Sequence, residues 1–197
     1  IDACLVGSEM CIRDRYTVEK LNMPKNKIQI VWFKRDLRIT DHRPIFEASI
    51  NSIPTLPIYI VETDYWKQPF ASKRHWSFIH DSLKDLRKDL KNIGQSLIVR
   101  SGSVGQIFEE LSNRYNIISI LSHEETGNQW TYDRDKSLHN WCLQNNISFT
   151  EFPSNGIVRR LKNRSEWSKI RNSRIKEKLV STPTNLIPLI GIEEGLI

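Results

Sequence analysis

Residues 28–41 read IQIVWFKRDLRITD, and they give the clearest indication of the fold in this sequence. The first six residues, 28–33, form a short, β-rich apolar run, which predicts a strand. Four charged residues follow the run closely, namely Lys34, Arg35, Asp36 and Arg38. The turn contains no glycine, so it is not a phosphate-binding loop of the GxGxxG type. We therefore expect a buried strand that ends in a charged turn.

Outward from this stretch, strands and helices alternate along the chain. Apolar runs predict four more strands, at residues 56–61, 97–100, 117–121 and 147–152. The clearest helix covers residues 72–93, where apolar side chains recur at helical spacing. Other helices are predicted around 44–50, after Ser103 and over 126–146. The alternation indicates right-handed βαβ crossovers. The predicted fold is therefore α/β: a Rossmann-like, five-stranded parallel sheet flanked by helices and followed by an extended linker.

Single polar residues predict where these helices begin and end. Ser72 and Ser103 are the expected N-caps of their helices, and Gly94 is the expected residue after a helix end. Asp41 is the candidate cap of the first helix, and Thr126 that of the last.

The composition suits one soluble globular domain with tails, since 39% of the 197 residues are hydrophobic and 26% are charged. No run approaches the roughly 18 apolar residues that span a bilayer, so we expect no membrane partner. We also expect the protein to be a monomer. Cys4, Cys11 and Cys142 fit neither a zinc site nor a disulfide framework, which favours a reducing, cytoplasmic setting. The net charge of +6 has two equal interpretations, attraction to DNA or a solvated basic surface, because Lys and Arg are spread along the chain.

The two ends depart from the regular pattern. Residues 1–24 show no periodicity and resemble translated sequencing-adapter read-through; a disordered leader is the alternative. We assign residues 25–153 to the α/β domain and 154–197 to a linker. The linker is rich in Arg and Lys up to residue 182, and residues 183–197 are apolar. We expect this apolar tail to need a partner surface, one that lies outside the chain.

Ligands of open α/β sheets bind beyond the carboxyl ends of the strands, so the candidate site lies after the first and fourth strands. The residues concerned are Trp32, Lys34, Arg35, Asp36 and Arg38, and then Glu124, Glu125, Asn128 and Tyr132. From the residues alone, the first set is more readily a structural ion-pair cluster. Glu124 and Glu125 equally suit a helix N-terminus, with Trp130 in the core.

No metal site or catalytic constellation is expected. The histidines show no acidic or cysteine partner at metal-ligand spacing: His42, His75, His80, His123 and His139. Scattered residues do not make a Ser-His-Asp arrangement either.

The run WFKRDLRITDHRPI, residues 32–45, resembles the signature that opens DNA photolyases and cryptochromes. The matching positions are Trp32, Phe33, Arg35, Asp36, Leu37, Arg38 and Asp41. Residues 56–66, 123–135 and 155–169 are similar to later segments of that family. The resemblance covers about residues 27–195.

This resemblance implies the N-terminal antenna domain of such a protein, without the helical domain that would hold FAD and the damaged pyrimidine pair. It implies a folate- or deazaflavin-like antenna pigment, held by the candidate residues unless these form the domain interface. Glu124 and Glu125 would accept hydrogen bonds from a pterin-type ring, and Trp130 or Tyr132 would line the pocket. The implied partners are the chain's own FAD-binding domain and, through the full-length protein, damaged DNA.

The implied function is light gathering for a flavin-dependent, deoxyribodipyrimidine photolyase-like repair protein, and the chain alone is not expected to be catalytic. One alternative is a cryptochrome-type blue-light photoreceptor domain. Another is a stand-alone nucleotide-binding module, against which the apolar tail argues. The basic stretch 155–167 has two interpretations: it contacts phosphates, or it is a linker that packs against the second domain. Its position in the family favours the second interpretation.

Overall fold

The computed structural model describes residues 25–154 and 156–197, so the predicted leader at 1–24 lies outside the described residues. The strands are β1 (Lys27–Phe33), β2 (Thr55–Val61), β3 (Ile98–Ser101), β4 (Asn116–His123) and β5 (Ser148–Phe152). All pairings are parallel, and the sheet has five strands in the order β3-β2-β1-β4-β5. The predicted α/β fold is confirmed. Strand order reverses on the two sides of β1, which makes the carboxyl ends of β1 and β4 the topological switch point.

Six α-helices accompany the sheet in the described part of the chain. They are α1 (Arg43–Ile50), α2 (Thr63–Trp66), α3 (Lys73–Asn92), α4 (Val104–Arg114), α5 (Gln129–Gln144) and α6 (Trp167–Lys176). None of them is long and apolar enough to cross a membrane. The short α2 was not predicted, because four residues are too few to show a helical period.

β1 lies at the centre and is buried on both faces. Ile30 and Trp32 belong to one core cluster with Phe108 of α4, whose ring centroid lies 5.8 Å from that of Trp32. Val31 and Phe33 belong to the opposite cluster. This alternation follows from the period of two along a strand, and it explains why the run at 28–33 is apolar throughout.

Two predicted caps are confirmed, and two are wrong. Ser72 and Ser103 cap α3 and α4, since their hydroxyl oxygens accept hydrogen bonds from the amides of His75 and Gln106. Gly94, after α3, takes a left-handed φ of 99°. His42, not Asp41, caps α1, since its Nδ1 accepts from the Ile45 amide at 3.2 Å.

Asp41 is not helical: its φ is 47°, and its carboxylate accepts the Val180 amide at 3.0 Å. The cap of α5 is Asn128 rather than Thr126, because Asn128 Oδ1 accepts from the Thr131 amide at 3.1 Å. Helix α5 therefore begins beyond a loop that the sequence pattern had merged with it.

The prediction of an extended linker is wrong for part of its length. The linker contains α6, in which no residue is buried, so the sequence lacked the apolar stripe that normally marks a helix. The segment is instead held by polar contacts, such as the 2.8 Å hydrogen bond from Arg174 Nη1 to the Ile157 carbonyl.

The apolar tail packs on its own domain, so the expectation of an outside partner surface is wrong for its buried residues. Leu186 and Leu189 are buried, and the Thr55 amide donates to the Ile187 carbonyl at 2.9 Å. The Val99 amide, on edge strand β3, donates to the Glu194 carbonyl at 2.7 Å. The tail thus covers an exposed sheet edge. A tail packed in this way does not argue against a stand-alone nucleotide-binding module.

Candidate functional site

A cavity of about 1050 Å³ opens at the carboxyl edge of β1 and β2. Its aromatic lining consists of Trp32, Phe33, Tyr59, Tyr65, Trp66, Phe70 and Phe78. Its charged lining consists of Lys34, Arg35, Arg38, Glu62, Arg74, Glu125 and Arg134. Part of this lining comes from the sheet itself, because the residues at the carboxyl ends of β1 and β2 meet at one edge. Helices α2, α3 and α5 supply the rest, for example Tyr65, Phe78 and Arg134.

Short helix α2 brings an aromatic cluster to the mouth of this cavity. The Tyr65 ring centroid lies 5.3 Å from that of Trp66, 5.2 Å from that of Phe70 and 5.5 Å from that of Trp130. Phe70 and Phe78 remain 41% and 76% exposed. Large aromatic side chains that are left uncovered around a concavity mark a binding surface.

Behind the aromatic rings lies a network of buried ion pairs, which we call the edge network: Lys34, Glu62, Glu125, Arg134 and Asp135. Lys34 Nζ lies 3.0 Å from Asp135 Oδ2, and these side chains are only 4% and 3% exposed. Arg134 contacts Asp135 at 2.8 Å and Glu62 at 2.6 Å. Charges this deeply buried are tolerated only when paired, and here each one has an opposite partner.

The Trp32 ring contacts two cations of the edge network. Lys34 Nζ lies 4.7 Å from the Trp32 ring centroid, and the Arg134 guanidinium carbon lies 4.8 Å from it. Both contacts are within cation–π range. The arrangement fixes an aromatic ring against the cavity.

Glu62 is the functional candidate that sequence reasoning missed. It follows β2 directly, lines the cavity and is 8% exposed. Burial raises the pKa of its carboxyl, only partly opposed by Arg134, and Asp135 and Glu125 raise it further. Its position directly after an apolar strand could have identified it as a site residue, but only if the pairing of β2 with β1 had been known.

Arg134 is the counterpart of Glu62. Burial opposes the charge on its guanidinium, but Asp135 and Glu62 outweigh burial and raise its pKa. Arg134 therefore stays charged beside the cavity, and it orients the Glu62 carboxylate by a hydrogen bond.

A second buried cluster lies beside the turn after β1. Asp36 Oδ2 contacts His42 Nε2 and His123 Nδ1, each at 2.6 Å, and Asp36 Oδ1 accepts from the Lys34 amide at 3.0 Å. Burial alone would raise the pKa of Asp36, but the hydrogen bonds from His123 and His42 outweigh it and hold this pKa well below its usual range. Burial lowers the pKa of His42, in spite of Asp36. The expectation that these histidines lack an acidic partner is thus wrong for His42 and His123.

The same cluster brings together three side chains of the types that bind metal ions. One ligand atom from each of Asp36, His42 and His123 lies within 4.8 Å of the others. However, His42 Nδ1 accepts from the Ile45 amide, so in the neutral ring Nε2 carries the proton and donates to Asp36. A metal would need the lone pair of that Nε2. The hydrogen bonds therefore favour a proton-sharing cluster over a cation site.

The predicted site residues separate into three groups. Those that line the cavity are Trp32, Lys34, Arg35, Arg38, Glu125 and Asn128. Asp36 sits in the histidine cluster, outside the cavity lining. Glu124 and Tyr132 do not line the cavity either: Tyr132 is 38% exposed, and Glu124 Oε2 is buried without a hydrogen bond among the described residues. Trp130 is half-buried at the aromatic cluster rather than in the core.

Comparison with known proteins relates the chain to one family. The family model described as DNA photolyase matches residues 29–168. A cryptochrome DASH of Arabidopsis thaliana is 29% identical over 122 residues, which are 57% of this chain but 21% of that protein. The chain thus spans about a fifth of this relative's length.

Two solved structures are similar in fold. A bacterial class III photolyase from Agrobacterium tumefaciens superposes with a TM-score of 0.71 at 19% identity, over 91% of this chain and 39% of the other. An archaeal photolyase from Sulfolobus tokodaii, described with two FAD molecules and a novel light-harvesting cofactor, superposes with a TM-score of 0.63 at 21% identity. The match covers 81% of this chain and 37% of the archaeal one.

Proposed function

Because the chain belongs to the DNA photolyase family, we propose that its cavity at the carboxyl edge of β1 and β2 binds a light-gathering pigment. The observation that carries this proposal is a concavity of about 1050 Å³ that combines an aromatic wall with buried, paired charges. Cavities of this kind suit planar organic ligands with a few polar groups. When bound, the pigment would absorb light and pass its excitation to a flavin. We assign that FAD to the part of a longer protein that this chain does not span.

The lining residues fit a planar, conjugated ligand. Tyr65 and Phe70 line the cavity with aromatic rings, and the Trp32 ring lies beside it in contact with two cations. A rigid aromatic wall restricts the orientation of a flat ring, and orientation governs transfer of excitation. The chain's own task is therefore to bind and orient, which needs no acid–base residue.

The polar lining fits the edges of such a ligand. Glu62 would accept a hydrogen bond from a ring N–H, because its carboxylate is buried, lines the cavity and is held by Arg134. Arg35 and Arg74, both exposed, would contact an anionic tail such as a phosphate or a carboxylate. A folate- or deazaflavin-like pigment offers both kinds of group.

Two functions of the whole protein are compatible with its relatives. The relatives include a cryptochrome and photolyases, and the domain would serve DNA repair and blue-light signalling equally well. We propose repair of damaged DNA by the full-length protein, with this domain docked on its FAD-binding domain. Light-dependent cleavage of a pyrimidine dimer by the full-length protein tests this, and its absence would favour the photoreceptor. A monomeric state and a cytoplasmic setting stay predictions.

The pigment proposal is tested by equilibrium dialysis of the chain against a folate, a deazaflavin and, for comparison, a dinucleotide. We expect one of the two pigments to bind, and Glu62→Gln to weaken it about tenfold through loss of the charged acceptor, equivalent to about 1.4 kcal/mol. Glu110→Gln, an exposed glutamate on α4, is the matched control and should bind as the parent does. Binding of the dinucleotide alone would support the stand-alone nucleotide module instead.

A further inference from the structure

His42 makes a different hydrogen bond with each of its two ring nitrogens. Its side chain is fully buried, between the turn after β1 and the first turn of α1. Nδ1 accepts the Ile45 amide at 3.2 Å and so caps α1, while Nε2 lies 2.6 Å from Asp36 Oδ2. An imidazole that accepts from an amide on one side and donates to a carboxylate on the other is neutral, with its proton on Nε2.

Protonation of the His42 ring is incompatible with this cap. Because Nε2 already carries a proton, a second proton must bind at Nδ1, the atom that accepts from Ile45. The protonated Nδ1 is then a donor that faces the donor N–H of Ile45, so a repulsive contact replaces the hydrogen bond. Pro44, in the same turn, has no N–H, and the Phe46 amide already donates to the His42 carbonyl at 3.1 Å. Proton uptake by His42 therefore removes the side-chain cap of α1.

The residue before His42 connects this cap to the linker. Asp41 Oδ1 accepts the Val180 amide at 3.0 Å, across 139 positions of sequence. The backbone of Asp41 is left-handed, with a φ of 47°, and Arg38 Nη2 donates to its carbonyl at 3.2 Å. A left-handed backbone is unfavourable for a residue with a side chain, and it persists only where the neighbouring structure holds it. Loss of the adjacent α1 cap therefore weakens the hold on Asp41 and, through Asp41, on Val180.

The surroundings of His42 determine the pH at which this proton binds. Burial lowers the pKa of His42, Asp36 opposes this effect, and His123 and Arg38 add to it. Asp36 and Arg38 face the ring from the turn after β1, and His123 faces it from the end of β4. The cap is therefore intact at neutral pH and is lost only below about pH 6.5, the ordinary pKa of histidine. Other charged groups on the neighbouring α1 and β5 are paired elsewhere: Arg43 with Glu47, and Glu151 with Arg159.

We propose that His42 is a proton-operated latch, which holds the linker against the turn after β1 at neutral pH and releases it in acid. Proton uptake at Nδ1 breaks the cap of α1, and the loss passes through Asp41 to its hydrogen bond with Val180. The proton comes from solvent and returns to solvent when the pH rises, so the release is reversible. It is also local, because Arg159 still attaches the linker to Glu151 of β5. The inference concerns the linker and does not depend on the pigment cavity.

The test is a heteronuclear NMR titration of the full chain from neutral pH down to about pH 5, with EDTA present to remove metal ions. The ring nitrogens of His42 should show the Nε2–H form at neutral pH and gain a proton below about pH 6.5. The amide signals of Ile45 and Val180 should move upfield with the same midpoint, as amides do when they lose a hydrogen bond. The amides of Ile30 and Val31, in β1, should not move. A Val180 signal that does not follow His42, or a His42 ring that stays neutral throughout, would overturn the proposal.

Two matched pairs of variants make the outcome decisive. His42→Asn keeps a cap that does not titrate, so the Val180 signal should lose its pH dependence, whereas His139→Asn, at an exposed position on α5, should keep it. Asp41→Asn keeps an acceptor and tolerates a left-handed backbone, so its Val180 amide should exchange with solvent almost as in the parent. Asp41→Gly keeps only the backbone, so this amide should exchange about tenfold faster or more at neutral pH, while Ile45 still titrates. Equal exchange in the two Asp41 variants, or equal pH dependence in the two histidine variants, would overturn the latch.

Discussion

The edge network and the basic segment, residues 156–182, contain the same charged residue types but use them in opposite ways. In the edge network, Lys34 is buried and Arg134 is only 11% exposed, and each has an acidic partner within 3.0 Å. In the basic segment, Lys169 and Lys176 are exposed and unpaired among the described residues. Buried pairs are expensive to break, so they hold a site in shape. Exposed cations contribute little to folding and are free to meet a partner.

The largest effect on stability is expected from Asp135→Asn in the edge network. The substitution leaves Lys34 and Arg134 buried with one partner fewer, so we expect a loss of about 3 kcal/mol in the free energy of unfolding. Urea unfolding measures this loss. Asp133→Asn, at an exposed position on the same helix, is the control and should unfold almost as the parent does. A similar small effect for both would mean that the edge network is not a structural necessity.

A smaller effect is expected from acid, through the histidine cluster. His42 has a folded-state pKa below its unfolded value, so the unfolded chain binds the proton first and stability falls as pH drops below about 6.5. Asp36, whose folded-state pKa is also depressed, adds a further loss only below about pH 3.9.

His42→Asn isolates the first of these steps. An asparagine can still cap α1 through its side-chain oxygen, but it is too short to keep the contact of Nε2 with Asp36, and it does not titrate. We therefore expect the variant to lose the fall in stability between neutral pH and about pH 5, as followed by urea unfolding across that range. An unchanged slope would assign it to groups other than His42.

The smallest effect is expected in the basic segment. Lys169→Gln combined with Lys176→Gln removes two exposed charges without an ion pair among the described residues, so the thermal midpoint should not move. Differential scanning calorimetry checks this. A clear drop would show that these lysines stabilise the fold, and the contrast with the edge network would disappear.

The parts of this structure that were predicted from sequence are the local ones. Strand runs reveal themselves by apolar composition, and Ser72 and Ser103 cap their helices through contacts to residues three positions on. Asp41 failed as a cap because its backbone is left-handed and its carboxylate binds the distant Val180 amide. A pattern within a short window cannot contain that partner.

The candidate site was predicted only in part, for the same reason. The turn after β1 was found because its charges are contiguous in the sequence. Glu62 was missed because its relation to Lys34 and Arg134 depends on strand order. The contact of Asp36 with His123 joins residues 87 positions apart, and it depends on the pairing of β1 with β4, which the sequence does not show.

We propose above all that the cavity binds a light-gathering pigment. Tryptophan fluorescence tests it most directly, because Trp32 and Trp66 line the cavity and would transfer energy to a pigment bound there. Titration of the chain with a folate or a deazaflavin should quench this fluorescence to saturation, and excitation of tryptophan should then produce pigment emission. Fluorescence that stays unchanged with both pigment classes, at concentrations well above the Kd values usual for cofactors, would contradict pigment binding by this cavity.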